Sequence, residues 1–383
     1  MVAGEKLRRS LASRQSYKTP PDPPLKRRRT INSLTRDNLL RYCSPEVRRN
    51  SSFCSPSKSN VTSPFINSPN VPNLSKEDVQ LGTLLGFGGF GSVFHGVYKK
   101  RVVAVKILHK IGKNKTAQFQ SYKAELRILY FKSPYVVKSL NATPLDRYDE
   151  GAWVVMEFVG HRNLQQLLND PDEHMDQSRR LKFALQIAQA LHYAHTNCVV
   201  HLDLKPANIF LTGNDDIKLG DFGCCQQIDL ETGIPSPLDE RSNLTGTFAY
   251  RAPELLKGHA PTTQADIYSF GITSWQMFAR ENPYGDQNQH MVIFCVVSQN
   301  LRPSLPDVKD DPFESMYQDL YTQCWRALPE DRPTSGDLLN ILKLSKTMGI
   351  SSSYQQLHDK QTNSCLTDIH LYLYYSVMAC CTE

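Results

Sequence analysis

Four polar residues between positions 203 and 221 have the types and spacing that phosphoryl transfer requires. Asp203, Lys205 and Asn208 lie in the segment H-L-D-L-K-P-A-N, and Asp221 follows Asn208 by 13 residues at the start of D-F-G. Transfer from a nucleotide to a hydroxyl needs a base, a cation beside the moving phosphate and oxygen ligands for Mg²⁺. Asp203 is the candidate base, Lys205 the candidate cation, and Asn208 and Asp221 the candidate metal ligands.

A glycine-rich segment upstream could hold the nucleotide. Residues 86–93 read G-F-G-G-F-G-S-V, and glycines let backbone N–H groups approach phosphates closely. The same glycine spacing occurs in dinucleotide folds, where it opens a helix and precedes an acid by about 20 residues. Here it runs into the β-rich residues 93–98, a basic turn at 99–101 and V-A-V-K ending at Lys106. This pattern predicts a hairpin whose lysine contacts nucleotide phosphates.

Lys106 needs a carboxylate partner if it is buried. Apolar residues spaced by three and four predict a helix over about 116–131, and Glu125 borders its packed face. Taken alone, Glu125 would be an ordinary glutamate of an amphipathic helix. With Lys106 upstream, we expect a buried ion pair between Lys106 and Glu125.

Two further stretches complete the predicted site. Residues 153–160 read as a strand that leaves through a glycine, which suits a hinge whose backbone faces an adenine with Met156 behind it; a simple buried strand is the alternative. A long helix is predicted over 181–195, and a hairpin of residues 209–211 and 217–219 would bring Asn208 close to Asp221. His201 could be a base, but a packing role is favoured because Asp203 fits that position.

Composition limits the class of protein. The chain has 383 residues and 40% hydrophobic content, with no apolar run of the roughly 18 residues that a membrane helix needs. Its charged start lacks an apolar signal core, so we expect a cytoplasmic protein without a membrane partner. The ten scattered cysteines are expected to be free thiols. Residues 78–383 carry 29 basic and 33 acidic side chains, which argues against a nucleic-acid partner.

The N-terminal segment 1–77 is basic and rich in Ser and Pro, and we expect it to be a disordered tail. Its run Lys26–Arg29 is either a nuclear-import or acidic-surface patch or simply a solvated tail. Four Ser-Pro sites suggest regulatory phosphorylation, although Ser-Pro is also common in disordered sequence. The C-terminal tail 346–383 either packs on the domain or is disordered.

Over residues 78–345 the chain resembles eukaryotic protein kinases. The glycine-rich loop, V-A-V-K, the helix glutamate, H-x-D-x-K-x-x-N, D-F-G and A-P-E at 252–254 all occur in this order at compatible spacings. The resemblance implies an α+β bilobal fold with an N-lobe at 78–156, a hinge at 157–160 and a C-lobe at 161–345. It implies a monomer that uses ATP and Mg²⁺, or Mn²⁺, and an ion pair between Glu254 and Arg332. The form D-L-K-P-A-N is similar to kinases that act on serine and threonine.

The resemblance also assigns site residues. Lys205 and Thr247 are expected to act beside the base Asp203. Nucleotide contacts are assigned to Leu85, Gly86, Phe87, Gly88, Gly89, Phe90, Gly91, Ser92, Val93, Ala104, Lys106, Glu125, Met156, Glu157, Phe158 and Phe210.

Finer matches resemble the Mos family, the oocyte-maturation kinases. They include H-L-D-L-K-P-A-N-I, D-F-G-C and N-L-R-P-S-L at 300–305. This implies a kinase of MAP kinase kinase that acts in meiotic maturation and arrest. Two alternatives stay open: a serine/threonine kinase of another branch with other substrates, and a pseudokinase scaffold, against which the presence of Lys106, Asp203, Asn208 and Asp221 argues.

Leu202 departs from the usual kinase pattern. Most kinases have an arginine there that binds a phosphate on the activation segment and makes activity depend on phosphorylation. A leucine cannot bind phosphate, so we expect activity without phosphorylation of residues 224–250. Cys224, beside the candidate metal ligand Asp221, is expected to be an inert small side chain rather than a reactive thiol.

Overall fold

The computed structural model describes residues 74–89, 91–109, 115–228, 247–308 and 311–359. The basic run at 26–29, the Ser-Pro sites, Phe90 and residues 360–383 lie outside the described residues. Within the described ranges, no helix is both long and apolar enough to cross a bilayer. The five cysteines of these ranges form no disulfide with one another, and Cys224 is buried.

The first part of the described chain is built on an antiparallel sheet. Its strands are β1 (Val79–Phe87), β2 (Gly91–Tyr98), β3 (Arg101–Leu108), β4 (Ser139–Ala142) and β5 (Trp153–Glu157). They lie in the order β1-β2-β3-β5-β4. Strand β5 ends at Glu157, where the predicted hinge of residues 157–160 begins. Strands β3 and β5 are rich in β-branched residues and lie inside the sheet, which suits such side chains.

The β2–β3 hairpin closes through a two-residue turn. Lys99 and Lys100 both have positive φ, 49° and 63°, and turns of this kind match the twist of the strands they join. The predicted turn is one residue too long, because Arg101 already pairs with Tyr98. The register places Val93 opposite Lys106, so the end of the glycine-rich segment lies beside the lysine.

One α-helix packs with this sheet. Helix α1 (Lys115–Arg127) continues as a 3₁₀ turn over Ile128–Tyr130, which agrees with the prediction of a helix over about 116–131. Its buried side includes Tyr122 and Glu125. The helix therefore presents a carboxylate to the same side that packs against the protein.

Residues 74–77, which we assigned to the disordered tail, are held in place by apolar packing and a hydrogen bond. Leu74 is 3% exposed and packs in an apolar cluster with Val103 and Val155. The Lys76 ammonium donates a hydrogen bond to the Glu150 carbonyl at 2.8 Å. The assignment of residues 74–77 to a disordered tail is therefore wrong. The composition of the segment does not predict this contact, because Leu74 alone supplies the apolar side chain that packs in the cluster.

The second part of the chain is mainly helical, which confirms the predicted α+β bilobal kinase fold. Its helices are α2 (Leu164–Asn169), α3 (Gln177–Thr196), α4 (Pro253–Leu256), α5 (Thr263–Ala279), α6 (Gln289–Ser298), α7 (Pro312–Cys324) and α8 (Ser335–Asp359). Helix α5 is buried on all sides from Ala265 to Met277, as expected of a helix that is apolar all round. Helix α8 extends past residue 345 into the predicted C-terminal tail.

Two short strand pairs support the loops between the lobes. Strand β6 (Val199–Val200) pairs with β9 (Gln226–Gln227), and β7 (Ile209–Leu211) forms a hairpin with β8 (Ile217–Leu219). The β7–β8 hairpin is the predicted one, and its two open ends carry Asn208 and Asp221.

Candidate active site

The Asp203 carboxylate lies at the centre of the loop that follows β6. Its Oδ2 accepts hydrogen bonds from Lys205 Nζ at 2.8 Å and Asn208 Nδ2 at 3.0 Å. Its Oδ1 accepts from the backbone N–H of Thr247 at 2.9 Å and from Thr247 Oγ1 at 3.2 Å. The structure thus brings together four residues that the sequence placed up to 44 positions apart.

The donors around Asp203 have a chemical consequence. An ionised carboxylate offers about four lone-pair sites, and four donors already point at them. An incoming acceptor hydroxyl must therefore displace one, and Thr247 Oγ1 makes the longest of these contacts. Thr247 Oγ1 also accepts from Lys205 Nζ at 2.6 Å, so it keeps a partner after displacement. Asp203 can thus exchange one donor for a substrate hydroxyl.

The Asp266 side chain on helix α5 anchors the backbone of this loop. This anchoring role was not predicted from the sequence. Its carboxylate is fully buried and accepts from the backbone N–H groups of His201 at 2.7 Å and Leu202 at 2.8 Å. Burial alone would raise the pKa of Asp266, but the hydrogen bond from His195 and the nearby His201 lower it. The available signal was that Asp266 is the single charged residue of helix α5.

Leu202 adopts a conformation that leucine rarely takes. Its φ is 65°, and its side chain is 9% exposed within the large apolar core. A non-glycine residue in this region costs of order 1–3 kcal/mol and persists only when its surroundings hold it. The two hydrogen bonds to Asp266 supply that restraint on the residue before the candidate base.

His201 has a packing role, as favoured from the sequence. It is fully buried, its Nε2 lies 3.0 Å from the Gly220 carbonyl, and its Nδ1 lies 3.2 Å from the backbone N–H of Asp203. Its ring also packs edge-on against Phe222 at 4.5 Å between centroids. Because both ring nitrogens are engaged by backbone groups, His201 orients the loop and leaves proton acceptance to Asp203.

The β7–β8 hairpin brings the two candidate metal ligands together. The Gly220 N–H donates to the Asn208 carbonyl at 2.9 Å, so Asp221 follows directly opposite Asn208. The Asn208 amide group also donates to the Asp203 carbonyl at 2.8 Å. Since its nitrogen serves as the donor, its side-chain oxygen is the atom that suits a cation.

Lys106 lies between two carboxylates. Its Nζ is 2.5 Å from Glu125 Oε1 and 2.7 Å from Asp221 Oδ1, so the predicted ion pair is present and has a second member. Burial would lower the pKa of Lys106, but Asp221 and Glu125 together raise it above its ordinary value. Lys106 lowers the pKa of Asp221 to about 2. Both groups are therefore charged at neutral pH.

The glycines of residues 86–91 differ in whether the surrounding structure leaves room for a side chain. A Cβ atom on Gly91 would lie 2.5 Å from the carbonyl oxygen of Ile107 on β3, so this glycine is required by strand packing. A Cβ atom on Gly86 or Gly89 would meet nothing within 4 Å. These glycines leave open space on the surface that a phosphate group would approach, which is consistent with the predicted nucleotide site.

This difference gives a test. We expect Gly91→Ala to lower the free energy of unfolding by about 1–3 kcal/mol, because the added methyl group forces the β2–β3 backbones apart. Gly86→Ala should leave unfolding nearly unchanged and instead raise KM for ATP. Thermal unfolding and an ATP titration of both variants measure this. Equal unfolding midpoints for the two variants would contradict the assignment.

The other predicted nucleotide contacts lie along the strands and the segment after β5. Strand pairing places Ala104 beside Met156, and Val103 beside Glu157. The Glu157 side chain contacts Lys218, 2.6 Å away, and its N–H donates to the Lys138 carbonyl at 2.9 Å, so a nucleotide contact would use its backbone carbonyl. Phe210 lies on β7, which is joined to the segment after β5 because the Leu211 N–H donates to the Arg162 carbonyl at 3.0 Å.

The remaining predicted contacts are placed as follows. Leu85, Gly86 and Phe87 lie at the end of β1, Gly88 and Gly89 in the turn, Gly91, Ser92 and Val93 at the start of β2, and Phe158 directly after β5. Phe90 lies outside the described residues. We call the space between these residues and the catalytic loop the cleft; Lys106 of the sheet reaches Asp221 at its edge. Their roles as nucleotide contacts stay a prediction.

Glu254 and Arg332 form the ion pair that the resemblance implied. The guanidinium makes two parallel hydrogen bonds to the carboxylate, at 2.7 and 2.8 Å, and both residues are buried. Arg332 also donates to the carbonyls of Gln264, Arg326 and Ala327. This pair ties α4, which follows Thr247 closely, to the loop between α7 and α8.

A nucleotide and a divalent cation fit this arrangement. Lys106 supplies a charged ammonium close to the glycine turn, and Asp221 and Asn208 supply oxygen atoms of the kind that hard cations prefer. The side chain of Asp221 is 45% exposed, so it can be reached from the cleft. Lys106 would contact phosphates, and Asn208 and Asp221 would hold the metal.

Residues 79–342 match the family model described as protein kinase domain, and the chain is a protein kinase. Such enzymes use ATP and a divalent metal. A serine/threonine-protein kinase mos from Patiria pectinifera is 43% identical over 318 residues, covering 83% of this chain and 88% of the relative. The corresponding kinase of Xenopus laevis is 38% identical over 273 residues, covering 70% and 76%.

A relative from mouse is similar to this chain to the same degree as the Xenopus kinase. The proto-oncogene serine/threonine-protein kinase mos of Mus musculus is 38% identical over 282 residues, covering 70% of this chain and 80% of the relative. The chain belongs to the Mos family of serine/threonine protein kinases, which confirms the resemblance found in its motifs.

Proposed function

We propose that this kinase phosphorylates MAP kinase kinase in the meiotic maturation and arrest of oocytes, as a cytoplasmic monomer that uses Mg²⁺, or Mn²⁺ in its place. Family membership supports transfer to serine or threonine, and the resemblance to Mos kinases supports the acceptor. The observation that carries the chemistry is the Asp203 carboxylate, held by Lys205, Asn208 and Thr247 beside the cleft.

Each residue has one task in this proposal. Asp203 accepts the proton of the acceptor hydroxyl as its oxygen bonds to the γ-phosphorus, and the bond from that phosphorus to the β,γ-bridging oxygen breaks to release ADP. Lys205 is 2.8 Å from Asp203 and balances charge on the transferred group. Lys106 orients the phosphates, while Asn208 and Asp221 hold the metal. When bound, the metal offsets phosphate charge.

The acceptor is tested by an assay with ATP, Mg²⁺ and kinase-dead MAP kinase kinase. We expect phosphate transfer by the wild-type chain and none by Asp203→Asn. Transfer to a generic serine substrate alone would point to a kinase of another branch with other substrates. Transfer to neither acceptor would favour a scaffold that binds partners without catalysis.

We also infer that activity requires no phosphate on residues 224–250. Leu202 supports this, because its apolar side chain is packed into the core and offers no cation to a phosphate. Thr247 lies near the end of this segment, and its backbone N–H donates to Asp203 Oδ1 at 2.9 Å. The end of the segment is thus held to the base by its own backbone.

Phosphatase treatment tests this inference. We expect purified kinase treated with a broad-specificity phosphatase to keep most of its activity, compared with a sample incubated with inactivated phosphatase. Mass spectrometry of residues 224–250 before and after treatment shows which phosphates were removed. Loss of activity together with loss of a phosphate from this segment would show that the inference is wrong.

A further inference from the structure

One face of the five-stranded sheet carries a row of apolar side chains across four strands. Cross-strand partners in an antiparallel sheet point to the same face. Strand pairing places Leu84 of β1 beside Phe94 of β2, and Phe94 beside Val105 of β3. Val105 in turn lies beside Val155 of β5. We call the side of the sheet with these four residues the outer face. Side chains alternate along a strand, so Lys106 points to the opposite face, toward the cleft.

Burial changes steeply along this row. Val105 and Val155 are fully buried, whereas Phe94 is half-buried and Leu84 is 56% exposed. The exposed end lies on β1, which is an edge strand of the sheet. Exposed apolar edge strands favour pairing with other chains, and natural proteins usually cover them. The outer face is therefore covered over β3 and β5 and open over β1 and β2.

The residues just before β1 lie on the same face. Leu74 is 3% exposed and packs in one apolar cluster with Val105 and Val155. The Lys76 ammonium lies 5.8 Å from the centroid of the Trp153 ring, which packs against that cluster. The chain that precedes Leu74 therefore starts from the outer face, next to its open part.

Residues 62–73, which lie outside the described residues, have a composition that suits this open part. They read T-S-P-F-I-N-S-P-N-V-P-N and include no charged side chain. The nine residues from Phe65 to Leu74 span up to about 30 Å when extended, whereas four strands cover only about 15 Å. Phe65 can therefore reach Leu84. The three prolines restrict the unfolded chain, which lowers the entropy lost when the segment becomes ordered.

We propose that residues 62–73 pack on the open part of the outer face, with the Phe65 ring against Leu84 and Phe94. Contact between two aromatic rings adds to the gain from burying apolar area. The segment is joined covalently to Leu74, so it meets the face at a higher effective concentration than a separate chain would. The kinase thus covers the exposed side of its own edge strand.

Photo-cross-linking tests the contact directly. Full-length kinase carrying Phe65→benzoylphenylalanine is irradiated, and the cross-linked peptides are identified by mass spectrometry. We expect cross-links to β1 and β2 of the same chain, and their loss when Leu84→Asp is added. Phe53→benzoylphenylalanine is the matched control, because this aromatic residue lies 21 positions before Leu74. It should give few cross-links to the outer face.

Thermal unfolding of the full chain gives a second, independent measurement. Phe65→Ser and Leu84→Ser should each lower the unfolding midpoint by about 2 °C. The double variant should fall by the same amount, because both substitutions remove one shared contact and their effects are then not additive. Leu344→Ser changes a leucine of similar exposure, 57%, on α8, and should leave the midpoint unchanged.

Three outcomes would overturn the proposal. Equal cross-linking from positions 65 and 53 would show that the segment only collides with the sheet. Cross-links that join two chains, seen as a species of doubled mass on a denaturing gel, would assign the outer face to a second copy of this protein. Midpoint shifts that add in the double variant, or an unchanged midpoint in Phe65→Ser, would show that Phe65 and Leu84 are not in contact.

Discussion

Asp203→Asn is expected to lower kcat by about 10³-fold, within the 10²–10⁴-fold range of general base catalysis. The amide has the shape of the carboxylate but cannot take up the hydroxyl proton. It also loses half of the acceptor capacity that Lys205, Asn208 and Thr247 now use. Steady-state kinetics with MAP kinase kinase give kcat, and an ATP titration should show that nucleotide binding is retained.

The control for this variant is Asp216→Asn. Asp216 lies in the turn between β7 and β8, where its carboxylate accepts a hydrogen bond from Gln186 Nε2 at 2.7 Å and lies 3.1 Å from Lys182 Nζ. The same chemical change at this exposed ion pair should cost at most about 1 kcal/mol of stability and leave kcat unchanged. If Asp203→Asn kept kcat within tenfold of wild type, another residue would have to be the base.

Arg332→Met is expected to lower the free energy of unfolding by about 3–5 kcal/mol, because it leaves Glu254 buried without its partner. The methionine fills much of the volume but donates none of the hydrogen bonds to Glu254, Gln264, Arg326 and Ala327. Urea unfolding monitored by circular dichroism measures the change. Activity should fall in proportion to the fraction of folded protein. Glu254 lies on α4, which follows the segment whose Thr247 contacts Asp203.

Arg326→Met is the matched control, because Arg326 is an exposed arginine six residues away whose guanidinium donates to the Asp331 carbonyl at 3.1 Å. Its change in stability should stay within about 0.5 kcal/mol. A second variant, Glu254→Gln with Arg332→Met, removes the unpaired charge and should be more stable than Arg332→Met alone. If the two arginine variants unfolded alike, the buried pair would contribute little.

Local sequence patterns predicted much of the fold and of the candidate active site. The β2–β3 hairpin was predictable because β-branched residues flank a basic turn, and the Lys106–Glu125 pair because the helix pattern placed an acid next to a packed face. The catalytic loop was predictable because its residue types match phosphoryl transfer at short spacing. All of these depend on residues that are close together in sequence or that belong to ordered motifs.

Contacts between distant residues were not predictable in the same way. Asp221 joins Lys106 across 115 positions, and Asp266 reaches the N–H of His201 across 65. Neither partner is indicated by periodicity or spacing, since only the packing of distant segments brings them together. The positive φ of Leu202 was equally inaccessible, because leucine disfavours that region and only the contacts with Asp266 hold it there.

The anchoring of the catalytic loop by Asp266 has a consequence for how the enzyme loses activity on heating. Functional loops usually open more readily than the core, yet the amide hydrogens of His201 and Leu202 are donated to a carboxylate on the most deeply buried helix of the described chain. Their exchange with water requires α5 to separate from the loop. Thermal inactivation and melting of the helical lobe should therefore be a single event.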